Sequence, residues 1–296
     1  MKGTTKGKAA CLLAAALVLL LVFSGCGGVL YGEKQQVQQD AAVSGKLTLN
    51  GSTSMAKVCQ ALGEAFSQKH PGVTVETSGT GSGDAPGSVL SGNALVGNLS
   101  RAMKDSENPQ DFEQVLLAID GIALAVHPQN PVTNLTSEQV TKIFAGEITN
   151  WKEVGGDDQP ITRLGRESSS GTRDGFETLF QVEGCRYAAE LTSTGEVLTR
   201  VSSDPSAIGY LSLESLNDSV RALSIDGVEP TEAHIRDGSY PVSRPFLQVY
   251  KKGSDSPLIA AWFAFVQSEE GDAIIEGAGL IPAQPGASDA KKEEAQ

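Results

Sequence analysis

Arg166-Glu167-Ser168-Ser169-Ser170-Gly171-Thr172-Arg173 carries more chemistry per residue than any other stretch of this 296-residue chain. The apolar Ile161 and Leu164 come before it, and Phe176, Leu179 and Phe180 follow at helical spacing. That context predicts a strand end, a tight loop and a helix start. A helix start leaves backbone N–H groups unpaired, and serine, threonine and glycine are the residues that cap it. Such an end attracts an anion through free donors and the helix dipole. Arg166 adds a planar, permanently charged fork suited to a tetrahedral oxyanion. A plain Ser/Thr cap would explain one such loop. Two more of the same kind change the reading.

Lys46–Asn50 alternates as a strand, then Gly51-Ser52-Thr53-Ser54 leads to Met55, Val58, Leu62 and Phe66 at helical spacing. His70-Pro71-Gly72 ends that helix. Val73–Thr77 reads as a second strand running into Ser78–Asp84, and a third short strand ends at Asn98-Leu99-Ser100-Arg101. Further strands are expected over Ile119–Val126, Ala207–Leu211 and Pro245–Tyr250, with a last helix through Leu258, Trp262, Phe263 and Phe265. Strand–loop–helix units repeated in this way imply an α/β class with a largely parallel sheet. Gly51–Ser54, Gly81-Ser82-Gly83 and Ser170-Gly171-Thr172 each join a strand to a helix, where open α/β sheets bind ligands. Ser100 and Arg101 add a hydroxyl and a cation at a fourth strand end. Neither a P-loop nor a strand-bound G-x-G-x-x-G is present, so the nucleotide fingerprints are missing.

The ends read differently. Lys2, Lys6 and Lys8 precede an apolar run from Ala9 to Phe23, and Ser24-Gly25-Cys26 closes it. This pattern resembles a bacterial lipoprotein signal, with residues 1–25 removed and lipid on the Cys26 sulfur. The run is short for a span of about 20 residues. Residues 26–45 are expected to be a lipidated, flexible tether, and residues 285–296 a disordered tail. The chain is then tethered to a cell membrane on its extracytoplasmic face.

Formal net charge is −13, and loss of three lysines with the signal makes the remainder more acidic. That argues against nucleic acid as a partner. It leaves anion binding open, because donors in a dry cleft outweigh distant, screened surface charge. His70, His127 and His234 are isolated, so neither metal nor cofactor is expected. Ser54-Met55-Ala56-Lys57 is an S-x-x-K, but S-D-N and K-T-G are both missing, which leaves serine acyl transfer without its remaining parts. The chain is not expected to be an enzyme.

Together, Gly51–Met55, Ser78–Gly83, Ser100-Arg101, Asp120–Val126, Asn134–Gly156, Arg166–Arg173 and Ala207–Leu211 resemble the phosphate-binding protein of the bacterial high-affinity phosphate ABC transporter. The matches span nearly all of residues 46–250 in order. The resemblance implies a two-lobed periplasmic-binding-protein fold, type II-like, that closes on one inorganic phosphate. It places one lobe at 46–122 plus 246–284 and the other at 123–245, with two hinge crossings near 120–126 and 243–248. By position it implies phosphate contacts from Thr53, Ser54, Ser82, Ser100, Arg166, Ser170, Gly171 and Thr172, with Ser52, Arg101 and Ser168 added. Permease subunits energised by a separate ATPase are the implied partners of a monomeric receptor. Cys59 and Cys185 would then lie in different lobes, where a disulfide would lock them together, so free buried thiols are expected. Asp84 is expected to be a helix-start charge, Glu167 a solvated residue and Asp120 part of the hinge. Sulfate or molybdate as ligand, or a non-transport surface or signalling lipoprotein, are the alternatives.

Overall fold

The computed structural model describes residues 43–182, 184–254 and 256–283. The signal segment, Cys26, all but the end of the tether and the C-terminal tail lie outside them.

The chain alternates strand and helix at first. Strand β1 (Gly45–Gly51) leads through one 3-10 turn to helix α1 (Ala56–Lys69), followed by β2 (Val73–Gly79), α2 (Ala85–Leu90) and β3 (Val96–Leu99). β1 pairs in parallel with both β2 and β3. α1 buries Val58, Cys59, Leu62 and Phe66 along one stripe, the periodicity expected of a helix laid on a sheet. Gly63 faces the Val75 side chain at a distance that leaves no room for a Cβ.

Two long strands then run between the lobes. β4 (Phe112–Val126) pairs antiparallel with β11 (Ser243–Lys251) as far as Gly121, and with β8 (Ala207–Ser212) from Ile122 onward. Between β4 and β8 the chain forms β5 (Asn134–Leu135), α3 (Ser137–Ala145), β6 (Thr162–Arg166), α4 (Gly171–Leu179), β7 (Ala189–Leu191) and α5 (Thr194–Ser203). β9 (Arg221–Ala222), β10 (Ser224–Ile225) and α6 (Glu232–Arg236) follow β8. After β11 come α7 (Pro257–Val266), α8 (Glu269–Gly277) and β12 (Ile281–Pro282). The main strand order is β2-β1-β3-β11-β4-β8-β6-β7. The sheet is therefore mixed rather than largely parallel. Its two ends are parallel, whereas β4 and β11 run against each other and against their outer neighbours.

Side chains gather into separate cores. Leu47, Leu49, Phe66, Phe246 and Trp262 belong to one, built where α1, α7 and α8 pack. Leu124, Phe144, Trp151, Phe176 and Tyr210 belong to another. Local signals agree with this packing. Thr136 and Gln139 close a reciprocal capping box on α3, and Gly146 ends that helix at φ 80°.

Candidate functional site

The carboxyl ends of β1, β2 and β3 face those of β6 and β7, and the loops leaving them carry the hydroxyls. After β1, Ser52 caps the 3-10 turn, its Oγ accepting from Ser54 N–H at 3.2 Å. Ser52 Oγ donates to Ser100 Oγ at 2.9 Å. Ser82 Oγ lies 3.2 Å from Ser100 Oγ and accepts from the Ser100 N–H at 3.0 Å. Three serines from three successive loops thus form one cluster, and Ser82 and Ser100 are fully buried.

The second lobe meets this cluster directly. Ser54 Oγ lies 2.8 Å from Thr172 Oγ1 and 3.1 Å from Thr194 Oγ1. Thr53 Oγ1 lies 3.2 Å from Thr194 Oγ1 and accepts from Arg166 Nη2 at 3.1 Å. Arg166 Nη1 donates to Thr194 Oγ1 at 3.1 Å. The Gly83 N–H donates to the Ser169 carbonyl at 2.9 Å, so the loop backbones touch as well. Gly171 shows how close the approach is: a Cβ there would stand 2.4 Å from Ser82 Oγ and 2.7 Å from Ser100 Oγ. Ser170 caps α4 by accepting from the Arg173 N–H at 3.3 Å.

Arg166 is 1% exposed and is braced from every side. Glu167, expected as a solvated side chain, accepts from Nε at 2.8 Å and from Nη2 at 2.7 Å. Its two oxygens are engaged by the guanidinium, which fixes the plane of the fork. The Arg166 backbone is pinned too. Its N–H donates to Tyr210 Oη at 3.1 Å, and its carbonyl accepts from Arg173 Nη1 at 2.9 Å. Tyr210 Oη lies 3.0 Å from Tyr187 Oη, and burial raises both phenols far above their usual range, so both stay neutral.

Of the residues expected at the ligand, Ser52, Thr53, Ser54, Ser82, Ser100, Arg166, Ser170, Gly171 and Thr172 come together here. Ser168 is exposed. Arg101 turns away: Nη1 and Nη2 donate to Glu107 at 2.8 and 2.6 Å, and Nε forms an ion pair with Asp174 at 2.8 Å. Thr194 was not among the expected residues. It opens α5 behind a Ser193 cap in the run Ser193-Thr194-Gly195, a fourth loop with the same signature. Asp84 is exposed at the start of α2, as expected. Cys59 is buried and Cys185 half-buried, both as free thiols.

A second buried polar group lies behind Ser100. Arg244 donates from Nε and Nη2 to Asp120 at 3.0 and 2.9 Å, and Ser212 Oγ donates to Asp120 at 2.8 Å. Arg244 Nη1 reaches the Ser100 carbonyl at 3.4 Å. Glu214 accepts from the Val58 N–H at 2.8 Å, and burial beside the Asp120 charge pushes its carboxyl up to about 8.

Chemically, the hydroxyl cluster offers donors and one cation, with no nucleophile–base pair. Among the described residues no three His, Cys, Asp or Glu side chains group as metal ligands. A groove of about 680 Å³ lies elsewhere, between α1 and β2, lined by Gln60, Glu64, Thr77 and Ser78 among others. None of the converging hydroxyls borders it.

Residues 36–270 match the model of the PBP superfamily domain. The phosphate-binding protein PstS of Bacillus subtilis is 33% identical over 275 residues, covering 89% of this chain and 90% of that protein. PstS of Pseudomonas aeruginosa is 31% identical, covering 83% and 86%. The crystal structure, with bound phosphate, of a Clostridium perfringens protein assigned as a phosphate ABC transporter substrate-binding protein superposes at a TM-score of 0.78 with 38% identity. It covers 81% of this chain and 100% of that one. An ABC-type phosphate transport receptor from Vibrio cholerae superposes at 0.67 with 35% identity, covering 80% and 100%. The fold is thus shared with these receptors over most of both chains, and at this identity and coverage the chain belongs to the PstS phosphate-binding protein family.

Proposed function

We propose that this chain is an extracytoplasmic receptor that captures inorganic phosphate between its lobes and delivers it to an ABC permease. The observation that carries the reading is the convergence of hydroxyls from separate loops of both lobes on Arg166, inside a volume closed to solvent. Binding needs no chemistry of bond making. Closure replaces hydration water with oriented hydroxyl, amide and guanidinium donors, which are far more effective in a dry site than in water. The receptor is a binding protein, not an enzyme.

The ligand set is Ser52, Thr53, Ser54, Ser82, Ser100, Arg166, Ser170, Gly171 and Thr172, with Thr194 added. Lobe I comprises 46–122 and 246–284, and lobe II 123–245, a division supported by the separate cores and by the change of β4 partner at Gly121. Lipid on Cys26 would hold the receptor at the membrane beside its permease.

Phosphate at neutral pH keeps a P–OH and sulfate does not, so a buried acceptor distinguishes them. Both oxygens of Glu167 already accept from Arg166. That leaves the cluster's hydroxyls to accept the phosphate proton, and Ser100, fully buried and in contact with Ser52 and Ser82, is the candidate to test. Isothermal titration of the chain with phosphate and with sulfate at neutral pH tests the reading. One-to-one phosphate binding with no sulfate response is expected. Binding of sulfate or molybdate instead would keep the fold and overturn the substrate, and Ser100→Ala should weaken binding and loosen the discrimination.

A further inference from the structure

Arg101 sits one residue from Ser100, yet its guanidinium is turned from the hydroxyl cluster toward two carboxylates of different origin. Glu107 belongs to the same lobe and holds Nη1 and Nη2 as a fork. Asp174 comes from the first turn of α4 in the other lobe, beside the ligand loop. Its Oδ2 lies 2.8 Å from Arg101 Nε and 2.7 Å from Lys104 Nζ. The Arg101 contact is an ion pair whose N–H is not aimed as in a hydrogen bond. One carboxylate on lobe II is thus shared by two cations on lobe I.

We infer that Asp174 is an affinity-setting residue that holds the lobes closed through Arg101 and Lys104, so that this ion triad governs how fast phosphate leaves. The inference rests on the receptor reading above for its ligand, but not for its geometry. Because Glu107 and the Ala102 carbonyl already hold Arg101 from its own lobe, Asp174 is not needed to build lobe I. Opening the lobes separates Asp174 from both cations while leaving the Arg101–Glu107 fork intact. The triad therefore favours the closed state selectively, which is what a device acting on release requires. Its environment also makes it tunable. The Arg101 and Asp174 side chains are 8% and 24% exposed and Lys104 is 49% exposed. The triad borders a solvent-reached groove of about 290 Å³ between Ala102 and Leu179. Salt can reach and weaken it, whereas the ligand cluster is sealed.

The test compares wild-type chain with Asp174→Asn, measuring release of radiolabelled phosphate into excess unlabelled phosphate. Release from Asp174→Asn should be roughly tenfold faster at low salt, with the association rate little changed. Raising NaCl from about 0.05 to about 0.5 M should speed release from the wild type and move the variant much less. Asp174→Glu, which keeps the charge, should recover much of the slow release. Lys104→Gln, on an exposed side chain, should give a smaller acceleration and provides a reading if Asp174→Asn does not fold. Small-angle scattering of the phosphate-free chains reads the latch without ligand, and Asp174→Asn should be more open. Equal release rates with equal salt dependence would overturn the inference. If the wild type binds no phosphate, the receptor reading fails, and superimposable scattering curves would then overturn the latch separately.

Discussion

Two buried polar groups lie back to back at the junction of the lobes, and they are built on opposite rules. Around Asp120 every charge has its complement: Arg244 chelates the carboxylate and Ser212 completes it. Around Arg166 the surroundings are hydroxyls, which can turn to donate or accept, and the one counter-charge, Glu167, holds the back of the fork. In the first group Asp120, Arg244 and Ser212 satisfy one another and join strands β4 and β11 to β8. The second gathers hydroxyls from both lobes around a guanidinium whose one carboxylate lies on its Nε side, and hydroxyls that can turn to donate suit a tetrahedral anion. Complementarity within the protein marks a structural joint. Hydroxyls that can exchange one another for a ligand mark a site.

Removing Arg166 should separate the two most sharply. Arg166→Ala should lower phosphate affinity by at least about a thousandfold, roughly 4 kcal/mol, since the dianion would lose its one cation. The midpoint of urea unfolding should move little by comparison. Phosphate affinity within tenfold of wild type would place the anion elsewhere. At the other centre the signs reverse. Asp120→Ala strands a buried guanidinium and should cost about 3–5 kcal/mol of stability in urea unfolding. The double change Asp120→Leu with Arg244→Met should recover most of it, as removal of a whole buried pair tends to do. Failure of the double change to recover stability would mean that the pair does more than join strands.

Glu214 belongs to the charged centre but breaks its symmetry, because burial, with Asp120 as neighbour, raises its carboxyl to about 8. In the unfolded chain it ionises near the usual 4.5. The folded state therefore holds this proton more tightly. The contribution to stability is complete below about pH 4.5 and is lost as pH rises toward 8, where the buried group must ionise. Glu214→Gln, neutral at every pH, should match wild type near pH 4.5 and exceed it by about 2–4 kcal/mol at pH 9. A stability difference that does not vary with pH would show that Glu214 ionises as readily in the folded chain as in the unfolded one.

Much of this was written locally in the chain. The Ser/Thr-Gly loops announce themselves because capping residues, strand ends and helix periodicity occur together at Gly51–Ser54 and Ser170–Thr172. Other features depend on what folding brings near. Arg101 follows Ser100 in sequence, but its direction is set by Glu107 and by Asp174, 73 positions further on. The apolar run Ile119–Val126 says strand without giving its direction, so the antiparallel crossing of β4 and β11 was not legible. Thr194 escaped because β7 is three residues long and only partly buried, too short for an alternation to show.

Thr194 is where the comparison is hardest to decide, and its variant should have the smallest effect. Its hydroxyl accepts from Arg166 Nη1 and touches Thr53 and Ser54, while its N–H donates to Thr53 Oγ1 at 3.2 Å. Those contacts cross the lobes, so Thr194 can be part of the ligand shell or a clasp that closes it. Thr194→Val keeps the shape and the N–H but loses the hydroxyl, leaving one Arg166 N–H without its acceptor. If Thr194 serves the ligand, phosphate affinity should fall about tenfold, with Thr194→Ser restoring it and stability unchanged within about 0.5 kcal/mol. If it only joins the lobes, the valine variant should release phosphate faster with association unchanged, as expected of Asp174→Asn, and phosphate-free scattering should show it more open. An affinity loss with unchanged scattering would place the hydroxyl's value in presenting the Arg166 guanidinium to the ligand, and titration and scattering of the two variants side by side decide it.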